Sequence, residues 1–282
     1  MSNKTKVTIH ETFVYIGYII LGLIMIYPLI WMFFASFKSN DEIFGSLSLL
    51  PKSFSIQPFL DGWVSVGGLN YGKFFLNTFK LVIPTTLFTV LSSTLVAYGF
   101  TRFDFKGKKL LFGILISTLM LPNAVIIIPR YTIFQKLGVL DSYWPFYLAA
   151  MFACYPFFTY MLIQFMRGLP VDLDESAYID GCGTFRVLYG ILLPLLKPAI
   201  FSAGLFQFLW TYNDYFNSLI YVNTVKKFTI SLALRLSIDA ESVVKWNEVM
   251  AMACVAVIPV VLLFFVAQKY FVEGVATTGL KG

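Results

Sequence analysis

The hydrophobic positions of this chain form long uncharged runs instead of short alternating or amphipathic segments. Six runs stand out, and one carboxylate, Asp214, interrupts the fifth. The runs cover residues 13–37, 81–100, 110–129, 142–166, 198–225 and 249–268. A helix needs about 20 apolar residues to cross the hydrocarbon layer of a membrane. The pattern therefore predicts six transmembrane helices.

Composition narrows the class of protein. Hydrophobic residues make up 58% of the 282 residues and charged residues 13%, whereas soluble domains average about 25% charged residues. The runs lack the alternation of barrel strands, and only helices or closed barrels cross lipid. We therefore expect an all-α membrane protein with one transmembrane domain over residues 1–282. The net charge of +6 requires no nucleic acid partner, because basic residues crowd the ends of membrane spans.

Prolines and loop charges add two expectations. Proline inside a span removes a backbone donor and bends the helix, and such kinks are predicted at Pro28, Pro84, Pro122, Pro156 and Pro259. The short connection 101–109 holds four Lys or Arg and one Asp, an excess that is typical of cytoplasmic loops. Both termini are then cytoplasmic, residues 38–80 and 225–248 are outer connections, and residues 167–197 form the largest cytoplasmic loop.

The side chains that enzymes use for catalysis are sparse and scattered. The single histidine, His10, lies next to the amino terminus, and the three cysteines show no metal or disulfide spacing. The Gly72-Lys73 and Gly107-Lys108 pairs lack the upstream glycine and the following Ser or Thr of a phosphate-binding loop. The sequence therefore predicts no catalytic residue, no metal site and no cofactor bound by this chain.

The largest cytoplasmic loop shows the pattern of two short helices. Asp172 is placed to cap the first helix, Glu175 to close a capping box with it, and Gly181 to end it. Thr184 is placed to cap a second helix that Pro194 stops. The loop is thus predicted to be a helix–turn–helix outside the membrane.

This loop resembles the hallmark loop in the membrane subunits of ATP-binding-cassette importers. Their pattern is Glu-Ala-Ala, three residues, Gly, nine residues and then Ile-x-Leu-Pro. This chain has Glu175-Ser176-Ala177, Gly181 and Ile191-Leu192-Leu193-Pro194 at the same spacing, with Ser176 as the one departure. Other stretches, in the same order, are similar to the second, six-span subunit of carbohydrate importers of the maltose type. They cover residues 27–32, 36–38, 97–102, 105–108, 128–131, 137–138, 178–181 and 279–282.

The resemblance implies a type I ABC importer fold in the bacterial cytoplasmic membrane, with a coupling helix between spans 4 and 5. It implies a permease subunit, not an enzyme, that moves a sugar or oligosaccharide. The implied partners are a homologous second permease subunit in a heterodimer, two ATPase subunits that hold ATP and Mg, and a solute-binding protein at the outer connections. The implied ATPase-docking residues are Glu175, Ser176, Ala177, Asp180 and Gly181.

A polar stretch in the fifth span is a candidate substrate pathway. A carboxylate inside a membrane costs about 2.5–3.5 kcal/mol on the insertion scale unless it faces a cavity or a partner. Carboxylates and amides bind sugar hydroxyls and rings pack on sugar faces, which makes candidates of Trp210, Tyr212, Asn213, Asp214 and Asn217. Helical spacing places Trp210 and Asp214 on one face with Asn213 beside them.

Two kinds of alternative stay open from the sequence. Asp214 can instead mark the outer end of the span and join helices through an ion pair with Lys226 or Arg130. The chain can also be a gradient-driven carrier or a channel-type pore subunit without an ATPase. A carrier is disfavoured because only one buried acid is visible, and a channel because no filter segment is visible.

Overall fold

The computed structural model describes residues 3–64, 68–239 and 244–278, and the regular elements within these ranges are helices. The similar stretch at 279–282, and residues 65–67 and 240–243 of the outer connections, lie outside the described residues. The chain divides into two compact units, Met1–Tyr71 with Leu234–Ile258 and Gly72–Ala233 with Pro259–Gly282. The single transmembrane domain expected for residues 1–282 stays a prediction.

The first unit contains the first predicted span and most of the outer connection that follows it. Its helices are α1 (Asn3–Ala35), α2 (Asn40–Gly45) and α3 (Gln57–Val64). Residues 11–34 of α1 include no buried residue in the single chain. Asn40 Nδ2 donates a hydrogen bond to Val244 O at 3.1 Å, and a Cβ at Gly62 would lie 3.2 Å from the Met252 side chain. The outer connection therefore packs closely on the chain that follows residue 243.

The second unit contains the loop and the candidate pathway. Its helices are α4 (Tyr71–Arg102), which begins at the edge of the unit, α5 (Lys108–Leu119), α6 (Asn123–Lys136), α7 (Trp144–Met151), α8 (Pro156–Arg167), α9 (Asp172–Ile179), α10 (Thr184–Val187), α11 (Leu193–Tyr212) and α12 (Tyr215–Tyr221). Helices α13 (Ile230–Asp239) and α14 (Trp246–Thr278) each belong partly to both units. Among the described residues, five helical segments are long and apolar enough to span a membrane, and the pair α5–α6 makes a sixth if it is counted as one span.

The third predicted span, residues 110–129, is not one straight helix. α5 and α6 are separated by a short break and bend by 110°. Pro122 stands directly before α6, and proline lacks the N–H that a continuous helix needs and restricts the residue before it. The kink predicted at Pro122 is therefore a complete break. The helix is also interrupted between α7 and α8, ahead of Pro156, but these two helices together count as one candidate span. Helices α1, α4 and α14 run through their prolines.

The fifth predicted span, residues 198–225, begins and ends earlier than expected. The helix continues from Thr184 through a π-helical turn, Leu188–Leu192, into α11. The prediction that Pro194 stops the second loop helix is therefore wrong. Pro194 cannot donate a backbone hydrogen bond, and the wider π turn just before it accommodates that loss. The chain then leaves the helix after Tyr212 and restarts as α12.

Helix α4 has the largest buried share of the five candidate spans, and several of its buried positions carry small hydroxyl side chains. These almost fully buried residues are Thr78, Thr85, Thr89, Ser93 and Thr94. Three of the threonine hydroxyls donate to the carbonyl four residues earlier in the helix, which satisfies them without a partner helix. Small side chains allow close helix approach in membranes, and Thr159 of α8 donates to Ser93 Oγ at 3.2 Å.

Candidate functional sites in the loop and in a polar cavity

The loop helix α9 forms where the sequence predicts the first loop helix, but its start differs. Its N-cap residue is Val171, and no side chain caps it, so the predicted capping box of Asp172 and Glu175 is wrong. Three carboxylates instead occupy the first turn, where the positive end of the helix dipole favours them. Thr184 likewise is the first residue of α10 and not its cap.

Gly181 ends the loop helix in a left-handed conformation with φ +80°. Its N–H donates to Tyr178 O at 3.0 Å, and the N–H of Cys182 donates to Ala177 O at 2.9 Å. These two bonds are those of a Schellman motif. No atom lies within 4 Å of the position that a Cβ on Gly181 would take. Glycine is therefore required here by its backbone conformation and not by a neighbour within the chain.

The predicted docking residues divide into an outward and an inward group. Glu175, Ser176, Asp180 and Gly181 are exposed. Ala177 is only 4% exposed and belongs to the main hydrophobic cluster of the second unit. The structure thus corrects the expectation for Ala177: its small side chain seats the helix on its own chain, and the outward group is the face that is available to a partner.

The inward face of α9 is tied to the end of α4. Oδ2 of the buried Asp174 forms an ion pair with Nε of Arg102, the last residue of α4. Arg102 Nη2 also donates to Leu169 O at 3.2 Å, and Tyr98 OH donates to Thr184 O at 3.0 Å. Neither member of the ion pair is predicted from the sequence as functional, because no local pattern links positions so far apart along the chain.

A polar cavity of about 370 Å³ lies among α5, α6, α8, α11 and α12. Three of the five predicted pathway residues line it: Trp210, Asp214 and Asn217. The other polar lining comes from Thr118, Asn123, Arg130, Tyr155, Gln207 and Thr211. Of these, the sequence suggested only Arg130, as an ion-pair partner of Asp214. The rest could not be selected because the cavity is assembled from segments distant in sequence.

Asp214 occupies the break between α11 and α12 instead of the interior of a continuous span. Its Oδ1 caps α12 by accepting a hydrogen bond from Asn217 N at 3.0 Å, and Asn217 Nδ2 donates to its Oδ2 at 2.8 Å. These bonds leave the carboxylate at the cavity wall with local partners. The arrangement compensates part of the cost of a carboxylate in an apolar bundle.

Two of the predicted pathway residues do not line the cavity. Asn213 is exposed, and its side-chain amide donates to Leu209 O at 2.9 Å. Tyr212 is buried and stacks on Phe208 with ring centroids 5.8 Å apart. The expectation fails for Asn213 because α11 ends at Tyr212, so the regular 100° step of a helix does not continue to the following residues.

Two buried side-chain oxygens are the clearest indication that the cavity binds a ligand. Gln207 is 1% exposed, and its Nε2 donates to Thr211 Oγ1 at 2.7 Å. Within the described part of the chain, Gln207 Oε1 and Asn217 Oδ1 are buried and have no hydrogen-bond partner. Buried polar atoms nearly always have a partner, so a cavity that holds such acceptors suits a ligand with hydroxyl donors.

A second acid–base pair joins the loop before α7 to the chain after α12. Asp141 accepts hydrogen bonds from Asn223 N at 2.9 Å, from Thr224 N at 2.8 Å and from Lys227 Nζ at 2.8 Å. Burial alone would raise the pKa of the Asp141 carboxyl, but these bonds outweigh it and hold that pKa well below its usual range.

Among the described residues, no cluster of His, Cys, Asp and Glu is placed to hold a metal ion.

Comparison with known proteins covers most of the chain and gives the same family of ABC importer permeases as the resemblance of the loop. The family model for the binding-protein-dependent transport system inner membrane component matches residues 89–277. The probable ABC transporter permease YurM of Bacillus subtilis is 31% identical over 99% of this chain and 91% of its own length. The trehalose/maltose transport system permease MalG of Thermococcus litoralis is 30% identical over 95% of each chain.

A solved structure shows that the fold is shared as well. A bacterial ABC transporter involved in the import of the acidic polysaccharide alginate has a chain with a TM-score of 0.76 and 22% identity, over 96% of this chain and 99% of that one. The importer-permease fold expected from the resemblance is thereby confirmed. The chain belongs to the family of binding-protein-dependent transport system inner membrane components, and it is a permease subunit of an ABC importer, not an enzyme.

Proposed function

We propose that this permease passes a sugar or oligosaccharide and that the polar cavity is part of the path. The observation that carries the proposal is the cavity lining, where the Trp210 ring, the Asp214 carboxylate and the free Gln207 acceptor lie together. A sugar offers a flat face to the ring and hydroxyl donors to the oxygens. Relatives are named for trehalose/maltose, galactooligosaccharides and arabinooligosaccharides, which supports this substrate class.

The pathway is tested by replacing the ring at the cavity wall in the complete transporter. Trp210→Ala should reduce uptake of labelled neutral oligosaccharides by about tenfold, because tryptophan is enriched among the contact residues whose truncation costs more than about 1 kcal/mol. Trp144→Ala is the matched control, since both tryptophans are 50% exposed and Trp144 does not line the cavity. Equal uptake by the two variants would reject the cavity as part of the path.

The proposed partners follow from the same assignment. They are a homologous second permease, two ATPase subunits with ATP and Mg, and a solute-binding protein, with both termini of this chain cytoplasmic. The outer connections, residues 38–80 and 225–248, are proposed to meet the solute-binding protein. Exposed rings such as Phe44, Phe54 and Trp63 support this surface. The chain alone should take up no sugar, and uptake without a second permease would contradict the heterodimer.

The outward face of α9 is proposed to dock on an ATPase subunit through Glu175, Ser176, Asp180 and Gly181. Glu175 is exposed and is free to pair with a cation on the partner. Glu175→Ala should release the ATPase subunits while membrane insertion stays normal, as measured by recovery of ATPase with the tagged permease. Asp104→Ala removes an exposed acid from the neighbouring connection and is the control. Full ATPase recovery with Glu175→Ala would contradict the docking role.

A further inference from the structure

The geometry points to Arg102 and Asp174 as positioning residues that make the loop helix and the second span move as one body during transport. This inference rests on the proposed docking of the loop on an ATPase subunit. It adds a linkage inside this chain: force received by α9 enters α4 through a buried ion pair. Both side chains are nearly buried, and neither lines the polar cavity, so the role is one of transmission.

The contact is built at the place where two helix ends meet. Arg102 is the last residue of α4, and Asp174 lies in the first turn of α9. A cation is favoured at a helix C-terminus and an anion at a helix N-terminus, so each charge suits its own helix as well as its partner. The side chains are 7% and 6% exposed, which protects the pair from screening by salt.

Because both side chains are buried, neither charge can lose its partner without a large energetic cost. Within the described ranges, the Asp174 carboxylate has no hydrogen-bond partner to replace the guanidinium. Separating the two helix ends would therefore leave an unpaired charge in an apolar environment, which is strongly unfavourable. The guanidinium also holds Leu169 O, so it fixes the entry to the loop helix together with its first turn.

Other contacts place the rest of the loop on the same end of α4. Tyr98 OH donates to Thr184 O at the start of the helix that becomes α11, and Thr101 Oγ1 contacts Met166 Sδ at 2.8 Å. Packed side chains and networks of hydrogen bonds and ion pairs carry energetic coupling between sites. The end of α4 supplies such a network, since it contacts the chain before, within and after α9.

The test measures ATP hydrolysed per sugar transported in complete transporters isolated through a tagged ATPase subunit and reconstituted with the solute-binding protein. Asp174→Asn keeps the side-chain shape but removes the charge, and it should raise this ratio by about threefold to thirtyfold. Arg102→Lys keeps the charge but loses the planar fork that reaches Leu169 O, and it should raise the ratio by less. Asp104→Asn is the matched control, because Asp104 pairs with Lys108 on the surface.

Each outcome decides the inference. A parental ratio in Asp174→Asn would overturn it, and so would loss of ATPase subunits from an inserted Asp174→Asn, which would make the pair a docking element. If Asp174→Asn does not assemble, Arg102→Lys decides: a raised ratio supports transmission, and a parental ratio reduces the pair to a folding determinant. Glu175→Ala is measured in parallel and tests docking separately, because its readout is the recovery of ATPase subunits and not the ratio of ATP hydrolysed to sugar transported.

Discussion

The two acid–base pairs at opposite ends of helix α4 differ in burial and in what they connect. Asp174 and Arg102, at the C-terminal end, are 6% and 7% exposed and join two helix ends directly. Asp141 and Lys227 have 32% and 46% exposed side chains and join two loops near the N-terminal end, where Asn77 of α4 donates to Lys226 O at 2.9 Å. Asn77 and Arg102 lie about 38 Å apart along the helix at 1.5 Å per residue.

The comparison teaches that the same chemistry serves two purposes. The Asp141 carboxylate is satisfied mostly by backbone and hydroxyl donors of one loop, so the lysine is one donor among several and water can replace it. The Asp174 carboxylate depends on one guanidinium. The pair of Asp141 with Lys227, called the outer pair below, therefore shapes a loop. The pair of Asp174 with Arg102, called the inner pair below, joins two helix ends to each other.

The largest effect is expected from breaking the inner pair outright. Arg102→Met should lower the free energy of unfolding of the purified subunit by about 3–5 kcal/mol, because it strands the buried Asp174 carboxylate. Thermal unfolding in detergent measures the change. Lys108→Met, at the exposed pair with Asp104, should leave the unfolding temperature where it is. Equal shifts in both variants would remove the distinction between buried and exposed pairs.

The next effect concerns the turn that follows the inner pair. Gly181→Ala should destabilise the loop by about 1–2 kcal/mol, because a Cβ is strained at positive φ. Gly183→Ala should be close to neutral, since Gly183 has φ −76° and both glycines have open space around a Cβ. Limited proteolysis of the loop in the assembled transporter distinguishes the two. Cleavage at the same rate in both variants would contradict a role for the left-handed turn.

The third effect concerns the cavity wall. Asp214→Leu should lower sugar uptake by about tenfold, because it removes the α12 cap and a buried acceptor. Asp214→Asn keeps a carboxamide oxygen for both roles and should lower uptake less. Uptake assays with matched expression measure both. An equal loss of uptake in the two variants would indicate that Asp214 acts through its charge, as an ion-pair partner of Arg130.

The smallest effect is expected from titrating the outer pair. The pKa of Asp141 is lowered in the folded state, so its contribution is complete above the unfolded pKa of about 3.9 and is lost as pH falls from there through the folded value. Between pH 7 and pH 5 this pair should contribute no pH dependence. Asp141→Asn should remove at most about 1 kcal/mol at pH 7 and flatten the acid limb of the unfolding curve below pH 4. A stability change in Asp141→Asn that is larger near pH 4.5 than near pH 7 would contradict this assignment.

The sequence by itself determined the class of protein and the place of the loop helix. Long uncharged runs admit only membrane helices, because lipid satisfies no backbone polar group. The spacing from Glu175 through Gly181 to Pro194 is local information, and the helix that ends at Gly181 follows from the conformational freedom of glycine. The sequence also suggested Trp210 and Asp214, because a carboxylate among apolar residues needs a cavity or a partner, and both line the cavity.

Only the tertiary structure decided which residues meet. The complete break at Pro122, the π turn ahead of Pro194 and the end of α11 at Tyr212 depend on how neighbouring helices pack, and local rules place them only as kinks or stops. The ion pair of Arg102 with Asp174 joins positions with no common pattern, and burial gives it its strength. Sequence reveals where charges lie along the chain, whereas the fold sets their partner and their access to water, which together fix the energy of the pair.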